Sequence, residues 1–275
     1  AMMETIDSRL STGIPSLDQV LKGINAGDNI VWEVEAIEDY ADLVRPYVEA
    51  ARRHGHRIVY FRFASHAPLL DASAGVDVHE FQPEAGFEPF LERIHEVIRR
   101  AGRGAHYVFD CLSELAADWY SDQMLGNFFM LTCPYLYDLE TITYFALFRG
   151  HHSAHAVKPI LDTTQLFLEV LRHDGRHYIR PVKVQHRYSS TMNMLHAWQG
   201  ADVRLVTSSA MISEILATGR NPGLRADRLL GPWHRTFADA QVDLAELRAG
   251  GRDGARDAEV LVRLVRMLVS WGERL

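Results

Sequence analysis

The chain is 275 residues long, enough for one α/β domain with an appendage or for two small domains. At 47% hydrophobic and 24% charged residues it has ordinary globular composition, and a formal net charge of −7 removes any general attraction to nucleic acid or anionic membranes. Cys111 and Cys133 make neither a metal-ligand spacing nor a disulfide framework. There is no signal peptide and no apolar run of about twenty residues, so no membrane partner is expected and the expected compartment is the cytoplasm.

Strands and helices alternate over the first two thirds of the chain. Residues 31–34 read as a strand, 40–54 as a helix, 57–63 as a β-rich run and 76–81 as a short strand. Phe87, Phe90, Leu91, Ile94, Val97 and Ile98 recur at helical spacing over 87–101, and Gly102 and Gly104 end that helix. A buried strand follows at 106–110, then an aromatic, mostly helical stretch over 112–137 that Pro134 interrupts, then an apolar strand at 141–148. Runs 164–173 and 177–187, joined by Asp174-Gly175-Arg176, read as a hairpin. From about residue 200 the character changes. Helices are expected at 209–218 and 236–248, and residues 257–275 place Val260, Leu261, Leu264, Val265, Leu268 and Trp271 on one stripe suited to its own domain or to a partner. The expected fold is α/β: a mainly parallel sheet flanked by helices over 1–200, with an antiparallel extension, and a helical C-terminal appendage over 201–275.

The segment Ser11-Thr12-Gly13-Ile14-Pro15-Ser16-Leu17-Asp18, with Gly23 and Gly27 behind it, resembles the opening of a KaiC-like ATPase domain, a member of the RecA-like P-loop group. His106-Tyr107-Val108-Phe109-Asp110 resembles that family's Walker B strand, and Asp110-Cys111-Leu112-Ser113-Glu114 is similar to its Asp-Ser-Leu-Ser run. The resemblance covers about residues 8–195 and implies a RecA-like sheet. It also implies a Gly-x-x-x-x-Gly-Lys-Ser/Thr loop after the first strand, whose amides, lysine and hydroxyl hold the phosphates and Mg²⁺.

Counted from Gly27, the four signature positions fall on Val34, Asp39, Tyr40 and Ala41, and none matches. The slot carries Glu35, Glu38, Asp39 and Asp42 instead, and two like charges 4 Å apart repel by about 1 kcal/mol even in water. Glu38 or Asp39 would supply the anion that a helix N-terminus favours. The family's paired glutamates after the second main strand are replaced by Arg62-Phe63-Ala64-Ser65, which has no general base at neutral pH. With loop and base both missing, Asp110 is expected to be a structural acceptor. The nucleotide slot is expected to be degenerate, with no cofactor and no catalytic residue.

Other chemistry is thinner. Of 14 histidines, His151, His152 and His155 follow one strand and are the weak candidates for a metal, which needs three or four converging ligands. His151-His152 also resembles a family dipeptide near the nucleotide. Lys183 and Arg187, in a run similar to the family's subunit-boundary strand, are expected to pair with carboxylates. The aromatic segment 118–129 reads as core and lid packing. Two functions follow: a catalytically silent RecA-like domain that binds a protein partner or a second copy, or a fragment of an enzyme. For the latter, Tyr120-Ser-Asp-Gln-Met-Leu-Gly-Asn-Phe-Phe129 and Leu230-Gly-Pro-Trp-His-Arg-Thr-Phe237 are similar to a region ahead of phosphoenolpyruvate/pyruvate-binding, phosphoenolpyruvate-synthase-like modules. A downstream catalytic module would then be its partner. A third reading is an ATPase with an unusual loop.

Overall fold

A computed structural model describes residues 10–70, 75–83, 86–119 and 122–220. The expected helices at 236–248 and 257–275 lie outside the described residues, as does the second of the two segments similar to phosphoenolpyruvate-binding proteins.

In chain order the elements are α1 (Pro15–Leu21), β1 (Asn29–Val34), α2 (Ile37–Arg53), β2 (Ile58–Arg62), β3 (Val76–Glu80), α3 (Phe87–Ala101), β4 (His106–Asp110), α4 (Leu112–Asp118) and α5 (Asp122–Asp138). There follow β5 (Ile142–Phe148), α6 (Ala154–Thr163), β6 (Leu166–His173), β7 (Arg176–Val184), β8 (His196–Gln199), β9 (Asp202–Leu205) and α7 (Ser209–Arg220). The strands form one mixed sheet in the order β3-β2-β4-β5-β1-β6-β7-β8-β9. From β3 to β6 all pairings are parallel, and β6 to β9 are antiparallel. No helix among the described residues is long and apolar enough to cross a membrane.

The central strands are buried on both faces, which is why they read as continuous apolar runs. Ile30, Trp32 and Val34 point to the α1–α2 side and Val31 to the α3–α6 side. On the first side, α2 packs Tyr40, Leu43, Val44, Tyr47, Val48 and Ala51, spaced as one helical face. Tyr47 stacks on Tyr144 of β5 with ring centroids 3.9 Å apart, and its hydroxyl donates to the Ile142 carbonyl at 2.8 Å. On the other side α3 and α5 bury Phe90, Ile94, Ile98, Phe128 and Phe129 against Phe61, Phe109 and Phe145.

The opening motif is a hydrogen-bonded knot. Asp18 accepts from the Thr12 backbone N–H (2.9 Å), the Thr12 hydroxyl (2.6 Å) and the Ser11 hydroxyl (2.5 Å). Gly13, at φ +80°, lies against α2 so closely that a Cβ there would stand 2.0 Å from the Pro46 carbonyl oxygen.

Several boundaries differ from expectation. Helix α2 starts at Ile37, three residues early, because the Asp39 carboxylate accepts the Ala36 N–H at 3.0 Å and extends the first turn. Pro134 does not break α5, which runs through it. The hairpin turn has Asp174 at φ 47° and Gly175 at φ 71°, the pair of positive values that a two-residue turn of this kind needs. The sheet also continues past residue 200: β8 and β9 form a second hairpin turned at Gly200-Ala201.

Candidate functional site

The parallel strands end on one edge, where β1 delivers Glu35, β2 delivers Arg62, β4 delivers Asp110 and β5 delivers Arg149. Only Glu35 and Ala36 lie between β1 and α2. Val34 is the last strand residue. Asp39, Tyr40 and Ala41 are in the first turns of α2 and buried, while Glu38 is exposed. The Tyr40 hydroxyl donates to the Phe109 carbonyl at 3.1 Å.

Asp39 fills the anion position of the helix N-terminus with its own carboxylate. Besides the Ala36 N–H, that carboxylate accepts Arg172 Nε at 2.8 Å and Nη2 at 2.6 Å, with His177 Nε2 at 3.0 Å. Arg172 and His177 are a directly opposed cross-strand pair of the β6–β7 hairpin, so one rung of the sheet grips the helix end. Glu35 Oε1 accepts the Arg172 backbone N–H at 3.2 Å. The clustered acids have partners: Asp39 carries Arg172, and Asp42 pairs with Arg45 at 3.0 Å. Arg45 lies one turn on along α2, whereas Arg172 arrives from β6, which spacing along α2 cannot reveal.

Next to this turn the strand ends carry an ion-pair row. Arg149 Nη2 stands 3.0 Å from Glu33 and 3.4 Å from Glu169, and Arg180 Nε donates to Glu169 at 2.6 Å. Burial pushes the Glu33 carboxyl up, against the pull of Arg149 and with help from Glu169.

Asp110 is fully buried at the end of β4. The Tyr60 hydroxyl donates to its Oδ2, and His66 Nε2 stands 2.7 Å from its Oδ1. The close contact with the Asp110 carboxylate raises the His66 imidazole above its ordinary value. Burial, reinforced by Asp110 and Glu114, holds the Cys111 thiol protonated. His66 follows the run Arg62-Phe63-Ala64-Ser65 and was not anticipated as a site residue. Nothing local marks it, since its partner lies 44 positions away and only the Arg62–Asp110 register brings the two together.

The other candidates go elsewhere. His152 Nε2 is 2.7 Å from the Ser113 hydroxyl, which also accepts the Phe148 N–H at 2.8 Å. The His151 ring lies 5.3 Å from that of Phe148, and His155 is exposed on α6. Those three do not gather as a ligand set; among the described residues, His66, Asp110 and Cys111 do. Arg187 pairs with a carboxylate as expected, holding Asp28 at 2.6 and 2.7 Å, whereas Lys183 donates to the Leu161 and Asp162 carbonyls. A half-open cleft of about 920 Å³ adjoins the Asp39 clamp, lined by Arg45, Pro46, Arg176, His177, Trp198 and Gln199 among others.

No family model matches the chain, and no curated protein matches it.

Proposed function

We propose that this chain carries a RecA-like, KaiC-like domain that has exchanged nucleotide binding for an internal ion cluster and acts by interaction or regulation. The observation that carries this reading is Asp39: its carboxylate sits where a phosphate loop would present amides to a nucleotide, already bound by Ala36 N–H, Arg172 and His177. A β-phosphate there would have to displace a buried, charge-assisted set of contacts and would find no lysine in the turn. Three features support the RecA-like assignment. The strand order places β1 between β5 and β6, the chain runs outward from β1 through β2 to β3 and returns through β4 and β5 before crossing to β6, and the β1–α2 turn shares its edge with Asp110. In open α/β sheets, ligands take the crevice outside such strand ends.

The role left to the domain is binding a protein partner, either another chain or a second copy of this one. Isothermal titration calorimetry with Mg-ATP and Mg-ADP tests the silent-site reading. No saturable heat is expected up to millimolar nucleotide. A micromolar Kd that disappears in Asp110→Ala would overturn it in favour of an atypical ATPase.

A further inference from the structure

We propose that His66 Nε2, Asp110 Oδ1 and Cys111 Sγ form a binding site for one divalent transition-metal ion of the zinc class. The three ligand atoms lie within 4.8 Å of one another. Zinc bonds of about 2.0–2.3 Å put neighbouring ligand atoms roughly 3–4 Å apart, so the 2.7 Å contact between His66 Nε2 and Asp110 Oδ1 opens slightly to admit an ion.

The hydrogen-bond pattern is that of a ligand set. His66 Nδ1 is 2.8 Å from the Ala67 carbonyl, which only accepts, so Nδ1 carries a proton and Nε2 is the nitrogen turned to the cluster; on metal binding any proton on Nε2 leaves to solvent and its lone pair forms the metal–nitrogen bond. That nitrogen stands 2.7 Å from Asp110 Oδ1, yet neither buried atom completes an aligned hydrogen bond. A proton can bridge them in the metal-free chain, and a metal ion would take its place. The other Asp110 oxygen is taken by the Tyr60 hydroxyl, which in turn accepts the Leu69 N–H at 3.1 Å. Oδ1 is thereby left as a one-oxygen ligand with its carboxylate oriented. This is the outer support that metal-bound histidines and carboxylates require.

Cys111 supplies the selective donor. It is fully buried and not in a disulfide. A nitrogen, oxygen and sulfur set favours zinc, cobalt or iron over magnesium or calcium. On binding, the Cys111 S–H bond breaks, its proton leaves to solvent, and the thiolate electron pair forms the metal–sulfur bond. Three protein ligands leave a fourth position open, and the His66 side chain, 20% exposed, marks the route by which ion and water reach it.

The test uses the full chain stripped with chelator and titrated with Co²⁺ and Zn²⁺. A single equivalent of Co²⁺ is expected to give a thiolate-to-cobalt charge-transfer band and intense tetrahedral visible bands, both bleached by one equivalent of Zn²⁺. Cys111→Ser is expected to lose the charge-transfer band, while Cys133→Ser keeps it. His66→Ala, a change at the exposed side of the cluster, is expected to weaken Zn²⁺ at least tenfold while the far-ultraviolet circular dichroism shows the fold retained, and Tyr60→Phe by about 10–100-fold. Absence of the band in the parent chain would overturn the proposal. So would its loss in Cys133→Ser, or Zn²⁺ affinity untouched by His66→Ala.

Discussion

Arg172, at the end of β6, holds the carboxylate of Asp39, 133 positions earlier in the first turn of α2, through two nitrogens on one oxygen. The pair does two things. It neutralises a fully buried charge, and it holds the β1–α2 turn with a carboxylate at the helix N-terminus. Removing one partner of a buried pair costs about 3–5 kcal/mol, and the 40% exposure of the Arg172 side chain brings the expectation to about 2–3 kcal/mol for Arg172→Ala. The double variant Asp39→Asn/Arg172→Ala should recover part of that loss, because the orphaned charge goes with its partner. Urea denaturation of both variants checks this. A loss under about 0.5 kcal/mol in Arg172→Ala would mean that His177 and the helix end suffice.

Arg187 and Asp28 are a more deeply buried pair, with side chains 7% and 3% exposed, and Arg187 also donates to the Gly23 carbonyl at 2.8 Å. Burial holds the Asp28 carboxyl above its ordinary range even with the guanidinium beside it, so the charge there depends on Arg187. Arg187→Ala is expected to cost about 3–5 kcal/mol. Arg187→Lys should recover little of it, since a single ammonium cannot meet both carboxylate oxygens and the carbonyl together. Denaturant midpoints for the two variants decide this.

His106 predicts an acid limb in the stability profile. It starts β4, 2% exposed, stacked at 4.3 Å on His56 from the α2–β2 connection and at 5.6 Å on Tyr47 from α2. Burial first, then the charge of His56, pushes its imidazole down to about 3. The folded state therefore takes up its proton later than the unfolded chain. The contribution is complete above pH 6.5 and is lost as pH falls from there toward about 3. At about 1.4 kcal/mol for each pH unit separating the folded and unfolded values, it amounts to several kcal/mol at most. Thermal melts between pH 7 and 4 should fall for the parent and flatten in His106→Phe, which keeps the stacking without the titration. Parallel slopes for the two chains would reject this role.

Much of the sheet was legible because its central strands are apolar on both faces and its helices carry clear periodicity; β4 and α3 fall on the expected bounds. The hairpin was legible from Asp174-Gly175 alone. Strands β8 and β9 were not, since four residues each give too short a pattern to stand out. The site was legible only as a set of missing residues. That Val34, Asp39, Tyr40 and Ala41 do not suit a phosphate loop is what the resemblance, counted from Gly27, implied. How the turn is held was not legible, because Arg172 and His177 reach Asp39 through strand register, and His66 reaches Asp110 the same way. Contacts between elements far apart in the chain leave no periodic trace in one sequence.

Gly13 gives the sharpest test of the opening motif. Its φ of +80° is a conformation that a side chain resists, and an added Cβ would lie 2.0 Å from the Pro46 oxygen and 2.2 Å from its carbonyl carbon. Backbone cannot yield as the tip of a side chain does, so Gly13→Ala must push the Thr12–Asp18 knot away from α2 or shift α2 itself. The expected cost is at least about 3 kcal/mol, combining a strained φ with overpacking. Ser11→Ala, which removes one of three donors to Asp18 at the edge of the same knot, should cost only about 1 kcal/mol. If the two variants melt within a degree of each other, the close approach of this turn to α2 is not what holds the segment in place.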